Sequence, residues 1–403
     1  MKLKKLASTL ATIGLGVSGA TTAQGISDDV IRIGFVTDMS SVYSDIDGPG
    51  GVEAIRMAIE DAGGEINGKK IELLFADHQS KADVASARAR EWFDRENLDF
   101  LIGGTNSATQ LAMSAVAAEK RKPYVNTGAG ASDIHNQRCN AYTIHYTYDT
   151  TVLARGTGSA VVKDGGKSWF FLTADYAFGH ALERDTAAVV QKSGGDVRGS
   201  VRIPLATSDF SSFLLQAQAS KAQILGLANA GGDTINSIRS AYEFGITQSM
   251  KFAGLLVFIT DIHSLGLEAT QGMYLTTGWY WDQSDAARAW AARFEKRVGR
   301  KPTMVHAGDY SVASFYLKAV RETGTDDADT VLAWMKSNPI DDMFATNGRI
   351  RKDGRMVYDM YLMQVKSPAQ SQYPWDYYKV VQTLPSNEIY IQPEESVCPL
   401  WKQ

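Results

Sequence analysis

The sequence predicts an α/β protein made of two similar units in tandem. Three observations predict it. The chain has 403 residues, more than one ordinary core holds. Short β-branched runs alternate with helical stretches. The same alternation restarts after residue 145. Strand–helix alternation means parallel pairing joined by right-handed crossovers.

The first unit opens with Val30 to Val36, a buried-strand pattern. Val52 to Ala62 follows as a helix with Ile55, Ile59 and Ala62 on one face, stopped by Gly63-Gly64. Lys70 to Ala76 reads as a strand, Ala82 to Phe93 as a helix and Phe100 to Ile102 as a strand. Ala108 to Glu119 is helical and Pro123 to Val125 is a short strand.

The second unit repeats this order. Leu153 to Val162 is helical, Ser168 to Leu172 a strand, and Ala177 to Gln191 a helix ending at Gly194-Gly195. Val197 to Ile203, Ile224 to Ala228 and Lys251 to Gly254 are strands, separated by helices at Phe210 to Ala219 and Thr234 to Phe244. The rhythm then breaks. Met273 to Trp281 leads as a strand into the helix Asp285 to Val298. His306 to Thr323 and Asp327 to Lys336 are helices with no clear strand before them. Met356 to Val365 is a strand, and Trp375 to Gln403 is a proline-punctuated tail without helical period. Lone helices this late imply that the chain returns to cover the earlier sheets.

The termini and charge narrow the function. Lys2, Lys4 and Lys5 precede the short apolar run Leu6 to Val17, and small residues at Thr21 to Ala23 suit cleavage before Gln24. This is the pattern of an export signal over residues 1–23, which places the mature protein in the periplasm. Loss of that segment removes three lysines and no acid, taking the formal net charge from −4 to −7. An acidic chain is a poor partner for nucleic acid. With 44% apolar and 21% charged residues, the composition is that of an ordinary globular protein. The two cysteines, Cys139 and Cys398, form an even pair in an exported chain and predict one disulfide. It closes a very long loop, worth about 5 kcal/mol in the chain-entropy view. Their spacing is not that of a zinc site.

Catalytic signatures are missing from the sequence. Gly63 to Lys69 fits GxxxxGK, but Lys70 replaces the magnesium-binding hydroxyl and the order is helix to strand, the reverse of a phosphate loop. There is no HExxH, and no GxSxG follows the export signal. His180 with Glu183 and His135 with Cys139 have the spacing of metal fragments, but scattered structural histidines are the plainer reading. We expect no enzyme activity, no metal and no cofactor.

Small polar loops at strand ends carry the binding chemistry instead. In open α/β sheets, ligands lie beyond the carboxyl ends of the strands. Three such loops are Asp38 to Tyr43 (with Met39, Ser41 and Tyr43), Gly103 to Ala108 (with Asn106 and Ser107) and Asn126 to Gly130 (with Gly128, Ala129 and Gly130). Glycine admits close backbone approach, and free amides at a helix start favour a carboxylate. The second unit offers rings: Tyr176 and Phe178 in Asp175 to Gly179, and Trp281 in Gly278 to Asp282. Amides on one side and rings on the other suit a small carboxylate with an apolar body.

These loops carry a family resemblance. Ile31-Arg32-Ile33-Gly34, Ile102 to Ser107, Tyr124 to Ala129 and Asp175 to Gly179, in this order and spacing, resemble the leucine/isoleucine/valine-binding type of periplasmic protein that serves ABC importers. The resemblance spans nearly the whole mature chain. It implies the type I periplasmic binding protein fold: two Rossmann-like lobes joined by three crossovers, closing on a hinge. We assign 24–146 with 277–353 to the first lobe, 147–276 with 354–365 to the second, and 366–403 to a tail near the hinge. It also implies that Asn106, Ser107, Gly128 and Gly130 hold a ligand carboxylate, that Phe178 or Tyr176 covers the ligand, and that ABC permease subunits are the partners.

The match departs at one place. In amino-acid binders of this family a second-lobe carboxylate meets the ligand ammonium, and that position falls here on Leu256, with the nearby tyrosine on Ala230 or Gly231. Asp233 or Asp261 are the candidate substitutes. The Gly278 to Asp282 segment, Cys139 and the tail resemble the branch of the family that takes up aromatic acids. Aromatic acid is therefore the first expectation, branched-chain amino acid the second, and a ligand-sensing role for a receptor or regulator the alternative to transport.

Overall fold

The computed structural model describes residues 25–402, so the predicted export signal over 1–23 lies outside the described residues. Strands β1 (Val30–Thr37), β2 (Glu65–Ile66), β3 (Lys69–Asp77), β4 (Phe100–Gly103), β5 (Tyr124–Asn126) and β6 (Thr143–His145) form one sheet in the order β2-β3-β1-β4-β5-β6. Every pair is parallel except β2 with β3. Strands β7 (Ser168–Ala174), β8 (Asp196–Ile203), β9 (Ile224–Ala228) and β10 (Lys251–Gly254) form a second, all-parallel sheet in the order β10-β9-β7-β8. β4 and β7 are buried along their whole length, as strands covered by helices on both faces must be.

The late elements return to both sheets. After β11 (Tyr274–Thr277), the helix Met304–Thr323 packs on the helix Gly48–Asp61 over the first sheet. The short ladder β12 (Arg349–Ile350) with β13 (Met356–Val357) follows. β14 (Met360–Val365) then pairs antiparallel with β11 and with β15 (Tyr378–Leu384). The chain thus passes between the two halves three times.

Two sequence expectations change here. The strand predicted over Met356 to Val365 is two strands, interrupted at Tyr358-Asp359. The tail also contains a strand: β15 leaves its central five residues exposed and is held by pairing with β14 rather than by burial. Cys139 and Cys398 are bonded, closing a separation of 259 residues. Asn136 Oδ1 accepts from Val397 N and Ser396 Oγ beside that bond.

One buried ion pair organises the first passage between halves. Arg355 Nε donates to Asp149 Oδ2 at 2.7 Å, and both side chains are fully buried. Arg355 also donates to the carbonyls of His145, Tyr146, Thr147 and Met356, and its guanidinium sits over the Tyr390 ring. Asp149 caps the next helix by accepting from Thr151 N and Val152 N. Burial pushes the Asp149 carboxyl up, but the Arg355 charge outweighs it and holds the group well below the usual carboxylate range.

A second buried pair lies under the first sheet's loops. Thr37 Oγ1 donates to Asp47 Oδ2 and Thr127 Oγ1 to Asp309 Oδ1, each at 2.6 Å. The remaining carboxyl oxygens of Asp47 and Asp309 face each other beside Gly51, where a Cβ would come within 2.3 Å of the first. Burial and the neighbouring Asp47 charge push Asp309 well above the carboxylate range, so the pair shares a proton. The arrangement ties the ends of β1 and β5 to the helix Met304–Thr323.

Two outcomes are expected. Arg355→Met leaves Asp149 buried and unpaired, so urea unfolding should show a loss of about 3–5 kcal/mol. The acid pair has a raised folded pKa; its stabilisation is full below ~4 and is lost as pH rises through the folded value. Asp309→Asn should therefore gain stability relative to wild type as pH rises, read as melting temperatures of the two proteins across the pH series. A constant difference would contradict the shared proton.

Candidate functional site

The carboxyl ends of the two parallel sheets face each other across a narrow cavity. From the first half come Tyr43 and Ile46 after β1, Thr105, Asn106 and Ser107 after β4, Gly128, Ala129 and Gly130 after β5, and Tyr148 after β6. From the second come Tyr176 and Phe178 after β7, Ala230 after β9, and Leu256 and Phe258 after β10.

The donor face is built from the loop after β5. Each carbonyl there is engaged from behind. Thr147 Oγ1 donates to Thr127 O, Tyr148 Oη to Gly128 O at 2.7 Å, Asn126 Nδ2 to Ala129 O at 2.7 Å, and Thr150 N to Gly130 O at 2.8 Å. Ala129 N is taken by Asn126 Oδ1. Among the described residues, no acceptor is assigned to the amides of Gly128, Gly130 and Ser107. Ser107 Oγ accepts from Ala131 N, which leaves its hydroxyl hydrogen to donate. Asn106 lines the cavity with a left-handed φ of 71°, a conformation asparagine tolerates. Its Oδ1 caps the helix Ser107–Lys120 through Ala108 N and Thr109 N. A Cβ at Gly130 would meet Tyr148 at 2.8 Å and Phe178 at 3.1 Å, so only glycine fits between these rings and the donors.

The rest of the wall is aromatic. Tyr148 and Phe258 meet edge to face at 6.2 Å, and Phe178 lies 6.1 Å from Tyr176. Tyr43 and Tyr176 join hydroxyl to hydroxyl at 2.6 Å across the halves, and burial holds both phenols above their ordinary pKa. Gly232 N donates to Val42 O, and Arg184 reaches Asp133 and Ser132. These contacts close the cleft. Among the described residues, no side chain lining the cavity is charged.

The structure brings Tyr43, Asn106, Ser107, Gly128, Ala129, Gly130, Tyr176 and Phe178 together around one cavity. Three expected residues lie elsewhere. Ser41 Oγ donates to Asp38 Oδ2, and Met39 N donates to Asp77 Oδ1, so both build the turn that presents Tyr43. Trp281 lines a separate cavity, with its Nε1 on Trp375 O and Lys301 Nζ 4.2 Å above its ring. Asp233 and Asp261 also miss the cavity. Burial pushes Asp233 up to about 6 and Asp261 to about 7, and their oxygens accept from Ala206 N and Phe258 N. Sequence reasoning missed Ile46, Tyr148 and Phe258 as lining residues. Phe258 follows the carboxyl end of β10, and the strand-end rule applied there would have found it.

A periplasmic binding protein family model matches residues 30–371. A crystal structure of a periplasmic binding protein from Burkholderia mallei is 60% identical, covering 93% of this chain and 99% of that one, with a TM-score of 0.91. A branched-chain amino acid ABC transporter periplasmic ligand-binding protein from Burkholderia xenovorans is 40% identical, covering 92% and 100%, with a TM-score of 0.81. A solute-binding protein of an ABC transporter from Rhodopseudomonas palustris, solved with 3,4-dihydroxybenzoic acid, shares the fold at 21% identity, covering 89% and 98%, with a TM-score of 0.80. This chain is a member of the periplasmic binding protein family.

Proposed function

We propose that this protein captures a small aromatic carboxylate outside the cytoplasmic membrane and delivers it to an ABC importer by closing and opening its cleft. The observation that carries this reading is the neutral cavity: unengaged amides and a hydroxyl at one end, rings elsewhere, and no charge. A carboxylate buried there is stabilised by charge-assisted hydrogen bonds from Ser107, Gly128 and Gly130. An aromatic body fills the space between Tyr148, Phe178 and Phe258.

The neutral cavity also separates aromatic acids from α-amino acids. A buried ammonium without a partner costs several kcal/mol. Leu256 occupies the wall where amino-acid binders of the family are expected to carry a carboxylate, and Asp233 and Asp261 do not reach the lining. The relative solved with a dihydroxybenzoic acid makes the aromatic reading compatible with the fold. The Burkholderia xenovorans relative, described as a branched-chain amino acid transporter component, favours an aliphatic amino acid as the second reading.

Thermal melting decides between them. Benzoate or a hydroxybenzoate should stabilise the protein by about 2.7 kcal/mol at one hundred times Kd, with leucine, isoleucine and valine giving much less. Ser107→Ala should weaken the acid about tenfold or more, the loss of one hydrogen bond to a charged group. Stabilisation by the aliphatic amino acids instead would overturn the aromatic assignment.

A further inference from the structure

Two buried side chains grip the Thr105 carbonyl from behind the cavity wall. His78 Nε2 and Gln110 Nε2 each donate to Thr105 O at 2.9 Å. Both lone pairs of that oxygen are thereby used. On the other side of the residue, Thr105 N donates to Thr37 Oγ1 at 3.1 Å. His78 directly follows β3, which is separated from β4 by β1 in the sheet, so its ring reaches past the end of β1.

Each gripping group is itself fixed. Ser80 N donates to His78 Nδ1 at 3.0 Å, which makes Nδ1 an acceptor and leaves a neutral ring with its hydrogen on Nε2. Burial also disfavours the charged ring and holds its pKa below the ordinary histidine value. Tyr124 Oη donates to Gln110 Oε1, which turns the Gln110 amide nitrogen toward Thr105.

A trans peptide is planar, so fixing the Thr105 carbonyl sends the Asn106 N–H the opposite way. His78 and Gln110 are fully buried and absent from the cavity wall, whereas Thr105 and Asn106 line it. Among the described residues, no acceptor is assigned to Asn106 N. Asn106 also needs support from outside: at φ 71°, its ψ of 106° lies beyond the left-handed helical basin. Donors on a carbonyl polarise the peptide as well as orient it, which strengthens the N–H on its far side.

We infer that His78 is a positioning residue for ligand binding: together with Gln110 it clamps the Thr105 carbonyl and so aims the Asn106 amide into the cavity as a further donor to the ligand carboxylate. The inference rests on the carboxylate reading of the cavity and deepens it. It holds for an aromatic or an aliphatic acid, because it concerns only the acid end. His78 touches no ligand; it acts through the peptide that it holds.

The test combines calorimetric titration with NMR of the asparagine-labelled full chain, using benzoate, or leucine should benzoate not bind. In wild type the Asn106 amide proton should move downfield on saturation, the signature of a new hydrogen bond to a charged acceptor. His78→Leu should weaken the acid about tenfold and reduce that shift. His78→Gln, whose amide nitrogen replaces Nε2, should restore most of both. Gln110→Met removes the other donor and should act like His78→Leu, which keeps the inference testable if the leucine variant does not fold. The inference alone is overturned if wild type binds the acid without moving the Asn106 amide. It is also overturned if folded His78→Leu binds as tightly as wild type, or if His78→Gln loses as much as His78→Leu. If wild type binds neither acid, the carboxylate reading falls and the inference falls with it.

Discussion

A guanidinium sealed inside the protein fixes where the binding groups point. Arg355 gathers the carbonyls of residues 145–147 and the Asp149 carboxylate. That segment in turn engages the carbonyls of Thr127, Gly128 and Gly130 from behind. A peptide carbonyl held on one side sends the neighbouring amides to the other. The donors that line the cavity are thus consequences of a pair more than two hundred residues apart in sequence, at the place where the chain first passes between its halves. A buried charge pair is a poor source of net stability, because desolvation offsets most of the attraction. Its value here is geometric: it permits one arrangement of the loop and leaves an unpaired Asp149 as the penalty for any other.

On the proposed reading, the cavity selects by what it lacks. Oriented amides can stabilise a carboxylate without a counter-charge, whereas a free ammonium needs an acceptor of its own. The acids nearest in sequence to the second-half wall are already occupied with backbone amides. The aromatic lining adds apolar burial and ring contacts that an aliphatic side chain would use less fully. The Tyr43–Tyr176 hydroxyl pair, the Gly232–Val42 hydrogen bond and the Arg184 contacts to Asp133 and Ser132 join the halves across the cleft, each an individually modest interaction.

Much of the fold was legible in the sequence because it is local. The runs Val30 to Val36 and Ser168 to Leu172 announce buried strands by composition, and the restart after residue 145 announces the second sheet. The cysteine pair was legible because the expected export limits what two cysteines do. The strand Tyr378–Leu384 was not, since its stability comes from pairing with β14, which lies far from the local pattern. Ser107, Gly128, Gly130 and Phe178 were legible as cavity-lining residues because strand-end loops and glycines carry a mechanism. Tyr148 was hidden because its role depends on the β6 end being held by Arg355. Ser41 and Trp281 were misplaced for the opposite reason. Their side chains suit ligands, but Asp38 and the Trp375 carbonyl claim them first. Residue type shows what a group can bond, and only the tertiary partners show whether that capacity is still free.

The most direct test is a crystal structure of the protein grown with benzoate. Both carboxylate oxygens should lie within ~2.7–3.1 Å of donors drawn from the Ser107, Gly128 and Gly130 amides and the Ser107 hydroxyl, with the ring between Tyr148 and Phe178. A carboxylate turned toward Leu256 and Phe258, with those amides left facing water or another part of the protein, would contradict the assignment.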